Sequence, residues 1–308
     1  MYRVAVLMST YNGEKYLREQ IDSILAQEGV AVTLYVRDDG SSDGTIGILE
    51  DYSRECKNIN LTKGQNMGVG NSFMQLVYDT SDDFDYYAFS DQDDIWLKEK
   101  LKVAIRNIDR RQGPILYASN QMLVDKAGNR ISLRYPEHFE MPVSLENEYH
   151  SNMISGCTFV FNKNLKLLLS EDLRRPSAEL LRKRIHDAWV AAVASLYEGI
   201  IYDKCAYIHY RQHENNVVGG YTHGHLYDIK EKIKRLRNPA LRNGRSLISV
   251  ELCRAFPEKA VEHPLIYCCK DGFTLESKLF LMNHIKDLKK YTSESYLGLM
   301  GKIIFGFY

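Results

Sequence analysis

Three carboxylates fall within four residues at Asp91, Asp93 and Asp94, inside the stretch Phe89-Ser90-Asp91-Gln92-Asp93-Asp94-Ile95-Trp96. Carboxylates this close repel one another unless a cation lies between them. An oxygen-only ligand set suits a hard cation such as Mg²⁺ or Mn²⁺, which commonly shares its shell with substrate phosphates. The alternative for such a stretch is an acidic surface turn. The apolar run Tyr86 to Phe89 just before it reads as a buried strand, so the acids sit at a strand's C-terminal end. That end faces the ligand crevice in an open α/β sheet.

Three more polar clusters follow apolar runs in the same way. Ser9 to Asn12 follows Arg3 to Met8, Asp38-Asp39 follows Val32 to Val36, and Gln65 to Asn71 follows Ile59 to Leu61. Strand ends of a doubly wound sheet converge on one crevice, so Thr10, Tyr11, Asn12 and Asn66 are expected on one ligand. The Tyr11 ring has the shape to stack on a nucleobase, or to pack half-buried. Asp39 could accept the N3–H of a uracil or thymine, whereas Asp38 reads as a turn aspartate. Gly68 and Gly70 lack the third glycine of a dinucleotide fingerprint and lie in the third unit, which argues against a dehydrogenase.

The elements that must carry these clusters are legible as periodicity. Helices are expected over Glu14 to Gln27, Thr45 to Glu55 (capped by Ser42 or Asp43) and Ser72 to Tyr78. With the strands between them they make three strand–loop–helix units, the signature of a mostly parallel sheet flanked by helices. A fourth helix is expected from Trp96-Leu97, burying Leu101, Ile105 and Ile108. Ile115 to Val124 reads as a strand that turns through Asp125 to Asn129 into Ile131. The segment Arg134 to Asn152 reads as an irregular loop on the acceptor side. Gly156 to Phe161 is strand-like, and a helix is expected around Asn164 to Leu169. A basic linker then carries Arg174, Arg175, Arg182, Lys183 and Arg184. A helix opens at Ile185-His186-Asp187-Ala188-Trp189, and the last strand is Ile200 to Tyr210.

The 308 residues are 44% hydrophobic and 26% charged, ordinary for a chain with a real core, and the net charge of zero gives no drive toward nucleic acid. The charge is unevenly placed. From Tyr221 onward 15 basic residues face 9 acidic ones, a net of +6, and the first 220 residues carry 25 against 31. The six cysteines form no C-x-x-C pair and no zinc spacing, which fits reduced thiols in the cytoplasm. No signal-peptide pattern opens the chain, and no apolar run approaches the ~18 residues of a membrane span.

Five motifs occur in one order: Ser9-Thr10-Tyr11-Asn12, Asp38 to Asp43, Ser90 to Trp96, His186-Asp187-Ala188-Trp189 and Tyr210-Arg211-Gln212-His213. Together they resemble the inverting family 2 glycosyltransferases of the GT-A fold, and most nearly the bacterial rhamnosyltransferases of cell-wall and capsular polysaccharides. The resemblance covers residues 1–220. It implies a GT-A domain with a nucleotide-sugar half over 1–115 and an acceptor half over 116–220, followed by a helical extension over 221–308. It implies Tyr11 and Asp39 on the base, Asp93 as the main ligand of Mg²⁺ or Mn²⁺, and Asp91 on the donor ribose or metal-bound water. Asp94 would cap the following helix. Asp187 matches the catalytic base, His213 lies where the family places a histidine near the metal or diphosphate, and Arg211 could pair with diphosphate oxygens. The implied donor is a dTDP- or UDP-sugar, with dTDP-rhamnose foremost, and the acceptor a saccharide hydroxyl, often lipid-linked.

The tail adds its own expectation. A basic amphipathic stretch from Tyr227 to Arg245 and an apolar end from Tyr296 to Tyr308 could lie on the inner face of the cell membrane, or pack on the core or a second subunit. The rival readings are a non-catalytic nucleotide- or carbohydrate-binding module and a sugar nucleotidyltransferase. The second normally carries a basic glycine-rich phosphate loop after its first strand, which Ser9 to Glu14 is not.

Overall fold

The computed structural model describes residues 1–213 and 244–306. Of the basic stretch expected over Tyr227 to Arg245, residues 227–243 lie outside them. Among the described residues nine strands form one curled sheet, and its first half explains the spacing of the polar clusters. Strands β1 (Tyr2–Thr10), β2 (Val30–Asp38), β3 (Ile59–Lys63) and β4 (Tyr86–Ser90) run parallel in the order β3-β2-β1-β4. Helices α1 (Leu17–Leu25), α2 (Thr45–Glu55) and α3 (Val69–Asp79) make the crossovers.

β1 shows why its sequence is continuously apolar. Successive side chains point to opposite faces of a sheet, and both faces are covered. Ala5 and Leu7 join one core with Phe73, Tyr87, Phe89 and Trp189, while Val4, Val6 and Met8 join the other with Leu17, Ile21 and Leu49.

The second half continues the sheet with reversed strands. β5 (Ile95–Trp96) is followed by α4 (Lys100–Ile108), β6 (Leu116–Val124), β7 (Arg130–Leu133), α5 (Leu145–Ser151), β8 (Val160–Asn162), α6 (Lys163–Ser170), α7 (Ala178–Ser195) and β9 (Ile200–Arg211). β8 is antiparallel to both β4 and β6, β9 is parallel to β6, and β5 closes the edge antiparallel to β9. Four local expectations are corrected. Ile95–Trp96 is a strand, not a helix start, because Trp96 pairs with Ile208 and the helix waits until Lys100. Residues 145–151 are helical, nucleated by Ser144, whose hydroxyl accepts the Asn147 N–H at 3.2 Å. Gly156–Thr158 is a 3₁₀ turn before β8, not strand. The basic run at Arg182 to Arg184 is the first half of α7, capped by Ser177 and buried through Leu180 and Leu181.

α7 is one helix by hydrogen bonding but breaks at Ile185, where φ is 49° and ψ is 174°. A β-branched residue in that region is strained. The break is seated against α3: a Cβ on Gly70 would lie 2.3 Å from the Leu181 carbonyl oxygen and 3.0 Å from Ile185 Cα. Only glycine lets the two helices approach this closely, which accounts for the Gly68-Val69-Gly70 spacing. Helices α8 (Gly244–Ala255), α9 (Pro257–Ala260), α10 (Pro264–Tyr267), α11 (Leu275–Asn283), α12 (Ile285–Leu288) and α13 (Tyr296–Phe305) then stack outward from α7. Leu252, Phe256, Leu281, Leu299 and Ile303 extend the same buried cluster as Trp189.

Candidate active site

A cavity of about 640 Å³ opens at the C-terminal ends of β1, β2 and β4. Its lining includes Tyr11, Asn12, Asp39, Asn66 and Gly68, then Asp91, Gln92, Asp93 and His213, and also Arg134, Gly156, Ile185 and Asp187. The volume is that of an ordinary small-molecule site.

The loop after β1 is held open by the acidic loop. Gln92 accepts the Tyr11 N–H at 2.9 Å and donates to the Tyr11 carbonyl at 3.1 Å, leaving the ring half exposed. Asn12 takes φ 49°, a conformation asparagine tolerates, and its Oδ1 accepts the Ser42 N–H at 2.8 Å. Asp39 reaches the cavity already engaged: it pairs with Arg37 and accepts the Met67 and Gly68 N–H groups, each at 3.0 Å. A carboxylate has about four acceptor positions, so one remains for a ligand. Asp38 is a turn residue, accepting from Gly40, Ser41 and the Thr10 hydroxyl. Thr10 is therefore a correction: it is fully buried, its hydroxyl is spent on Asp38, and it does not line the cavity.

Asp91 and Asp93 face the cavity, and Asp94 lies beneath it. His213 Nε2 stands 2.7 Å from Asp93 Oδ2, and its ring packs on Tyr16 at 5.4 Å. Burial, then Asp93, then Asp187 push the Asp91 carboxyl up to about 7. Asp94 does not cap α4. Its Oδ1 accepts the Arg211 N–H at 3.1 Å, and its other oxygen is buried without a hydrogen-bond partner. Burial and the neighbouring acids raise this carboxyl well above the usual range. Arg211 is the second correction. Its guanidinium is buried, donating to the Asp93 carbonyl at 3.0 Å and the Lys126 carbonyl at 2.9 Å, pairing with Glu19 at 2.5 Å and covering the Tyr16 ring. It braces the acidic loop from behind rather than reaching the cavity.

The donor set fits a divalent cation. Crowded acids with an orphaned buried oxygen lack positive charge, and Asp93 with His213 offers oxygen and nitrogen beside it. A second grouping, Asp91, Asp94 and Cys157, brings its ligand atoms within 4.8 Å of one another. Burial pushes the Cys157 thiol well up, and a protonated thiol is a poor partner for a hard cation, so the Asp93 side is the better site.

The break at Ile185 restarts α7 so that Asp187 stands in the first turn of its second half. The carboxylate accepts the Ala188 N–H at 2.7 Å. Burial raises it to about 6, opposed by the hydrogen bonds from Ala188 and Gly156 and by the charges of Arg184 and Arg134. Gly156 is required here, since a Cβ would lie 2.9 Å from His186 Nε2 and 3.1 Å from Asp187 Cβ. His186 stacks on Phe73 at 4.0 Å and meets Phe89 edge-on at 4.9 Å. Burial lowers its pKa to about 3, so it is a neutral wall residue. Gln92, Arg134 and the turn at Gly156 were not singled out from sequence. The Gln92 position between two acids was the one available signal.

The family model described as "Glycosyl transferase family 2" matches residues 5–165. A dTDP-rhamnosyl transferase RfbG of Shigella flexneri is 31% identical over 242 residues, 74% of this chain and 78% of that protein. Among solved structures, Staphylococcus aureus TarS residues 1–349 in complex with UDP superposes with a TM-score of 0.58 at 22% identity, covering 96% of this chain and 83% of that one. A mannosyltransferase, PcManGT of Pyrobaculum calidifontis, in complex with GDP-Man and Mn²⁺ gives 0.50 at 15% identity, covering 99% and 86%. With the strand order, the acidic loop and the cavity in place, the family match over half the chain and the RfbG identity make this protein a member of the family 2 glycosyltransferases, on a GT-A fold.

Proposed function

We propose that the protein transfers a sugar, rhamnose from dTDP-rhamnose, onto a saccharide hydroxyl of a cell-wall or capsular polysaccharide precursor, with inversion at the anomeric carbon. The observation that carries this is one cavity whose lining includes the half-exposed Tyr11 ring, Asp39, Asp91, Asp93 and the Asp187 carboxylate. The named activity of RfbG supports rhamnose and dTDP, and the UDP in TarS supports a pyrimidine nucleotide.

In this reading Tyr11 stacks on the base, and Asp39 accepts its N3–H with the position that Arg37, Met67 and Gly68 leave. Asn12, Asn66 and Asp91 flank the donor. Asp93 and His213 would hold Mg²⁺ or Mn²⁺, whose chemistry is to offset charge on the departing diphosphate. Asp187 accepts the proton of the attacking acceptor hydroxyl; inversion needs only this one carboxylate opposite the leaving group. Residues 1–115 form the donor half, 116–220 the acceptor half, and 221–308 the extension. Contact with the inner membrane face belongs to the same proposal. No helix among the described residues is long and apolar enough to cross a membrane, but α13 exposes Leu297, Ile304 and Phe305, a surface for lipid or for a second subunit.

A thermal-shift panel of dTDP-, UDP- and GDP-sugars with Mn²⁺ tests the donor. A ligand at a hundred times its Kd stabilises by about 2.7 kcal/mol. Pyrimidine donors are expected to raise the melting temperature and GDP-sugars to leave it unchanged. Selective stabilisation by the GDP-sugar would refute the Asp39 assignment.

A further inference from the structure

Arg134 follows β7 at the edge of the cavity's Asp187 end. Its backbone is pinned, the N–H donating to the Gln121 carbonyl at 2.9 Å. Its Nη1 donates to Gln121 Oε1 at 2.8 Å and to Ser155 Oγ at 2.7 Å, both neutral groups. Among the described residues no carboxylate comes within ion-pair distance of it, whereas Arg37 and Arg211 near the same cavity are each paired with one. Arg134 is only partly buried and lines the cavity, so its guanidinium can still meet an anion that arrives there. A guanidinium is also the group best shaped for an oxyanion, offering paired N–H donors in one plane.

Its location decides which anion. Arg134 is tied to Ser155 at 2.7 Å, and a Cβ on the adjoining Gly156 would lie 3.1 Å from Asp187 Cβ, so Arg134 stands beside the Asp187 wall. Its charge is among those acting on Asp187. The donor diphosphate belongs beside Asp91 and Asp93. What enters on the Asp187 side is the hydroxyl being deprotonated and whatever is attached to it.

We propose that Arg134 is a specificity-determining residue that binds an oxyanion carried by the acceptor, a phosphate or a carboxylate, next to the attacking hydroxyl. The proposal rests on the reading of Asp187 as the base. It restricts the acceptor to an acidic or phosphorylated saccharide, a limit that nothing in the donor half imposes. Such an anchor would hold the acceptor by its charge and let the neutral hydroxyl align with Asp187.

The test uses the full chain and inorganic phosphate as the probe. Nucleoside diphosphate affinity is measured first, by calorimetry in Mg²⁺; failure of the wild-type chain to bind any nucleotide would overturn the donor reading itself, apart from Arg134. Phosphate is then titrated into the nucleotide-saturated chain. Wild type is expected to bind it, Arg134→Gln to bind at least about tenfold more weakly, and Arg134→Lys to fall between, as expected of a charge-assisted contact. Nucleotide affinity should stay within twofold in both variants. Arg134→Gln can still donate toward Ser155, and its melting curve reports whether the fold survives; Arg134→Lys retains the charge and tests the same point if it does not. If Arg134→Gln weakens nucleotide binding tenfold, the cation serves the donor diphosphate and the acceptor assignment is wrong. Phosphate binding equal in wild type and both variants, or absent in wild type, overturns it as well.

Discussion

Asp187→Asn is expected to bind the nucleotide donor with wild-type affinity and to transfer sugar about 10²–10⁴-fold more slowly, the range that a positioned general base contributes. Asparagine keeps the size and the acceptor oxygen that meets the Ala188 N–H, so the start of the second half of α7 should hold. What it lacks is a group to take the hydroxyl proton. The wild-type rate should carry an acid limb near pH 6, because burial raises Asp187 from 3.8 to about 6 and only the ionised form accepts a proton. The limb should vanish in the variant's residual activity. Stability should move the other way. Between pH 3.8 and about 6 the folded chain keeps a proton that the unfolded chain has released. The carboxyl therefore withdraws stability as pH rises through that window, and above it the full cost stands, of the order of 3 kcal/mol. Asp187→Asn removes that cost, so it should melt higher than wild type at pH 7.5. A variant that transfers at the normal rate would place the base elsewhere, and one that melts lower would show that the ionised carboxylate does not cost the fold stability.

Asp93→Asn carries the second large effect. Its carboxylate is the acid that meets both the cavity and His213, so the substitution removes an anionic ligand and the charge that faces the imidazole. Nucleotide affinity in Mn²⁺ should fall at least about tenfold, since losing even an outer partner of a metal ligand costs ~10–100-fold. Affinity in chelator should be unchanged, which separates loss of the cation from loss of the fold. An equal drop in both conditions would mean that Asp93 supports the loop and not a metal. Asp94→Asn is the informative contrast: its side chain lies beneath the cavity, and asparagine keeps the oxygen that accepts the Arg211 N–H, so nucleotide affinity in Mn²⁺ should stay near the wild-type value.

The donor half was legible because its chemistry follows apolar runs that can only be buried strands. Arg3 to Met8 and Tyr86 to Phe89 fix the strand ends, and strand ends fix where Tyr11, Asp39 and Asp91 emerge. What sequence could not supply is the direction of each side chain at those ends. Thr10 and Tyr11 are neighbours, yet one is buried against Asp38 and the other is half exposed. Asp93 and Asp94 are neighbours, yet Asp94 turns down toward the backbone of Arg211, a residue 117 positions away. Arg211 looked available because its type suits a diphosphate, while its partner Glu19 lies on α1, far off in sequence. Arg134 shows the opposite failure: it sits in a segment without periodicity, and only the return of the Ser155–Gly156 turn gives it a place in the cavity. The basic run at Arg182 to Arg184 disguised a helix whose Ser177 cap and buried Leu180 and Leu181 were present in the sequence all along.

The measurement that bears most directly on the proposed reaction is the stereochemistry and stoichiometry of one turnover. Wild-type chain with Mn²⁺, a pyrimidine nucleotide sugar of known anomeric configuration and a saccharide acceptor should release one nucleoside diphosphate per sugar transferred. Proton NMR of the product should show the anomeric configuration opposite to the donor's, as a single displacement assisted by Asp187 requires. A product of retained configuration, or release of pyrophosphate in place of the nucleoside diphosphate, would contradict it.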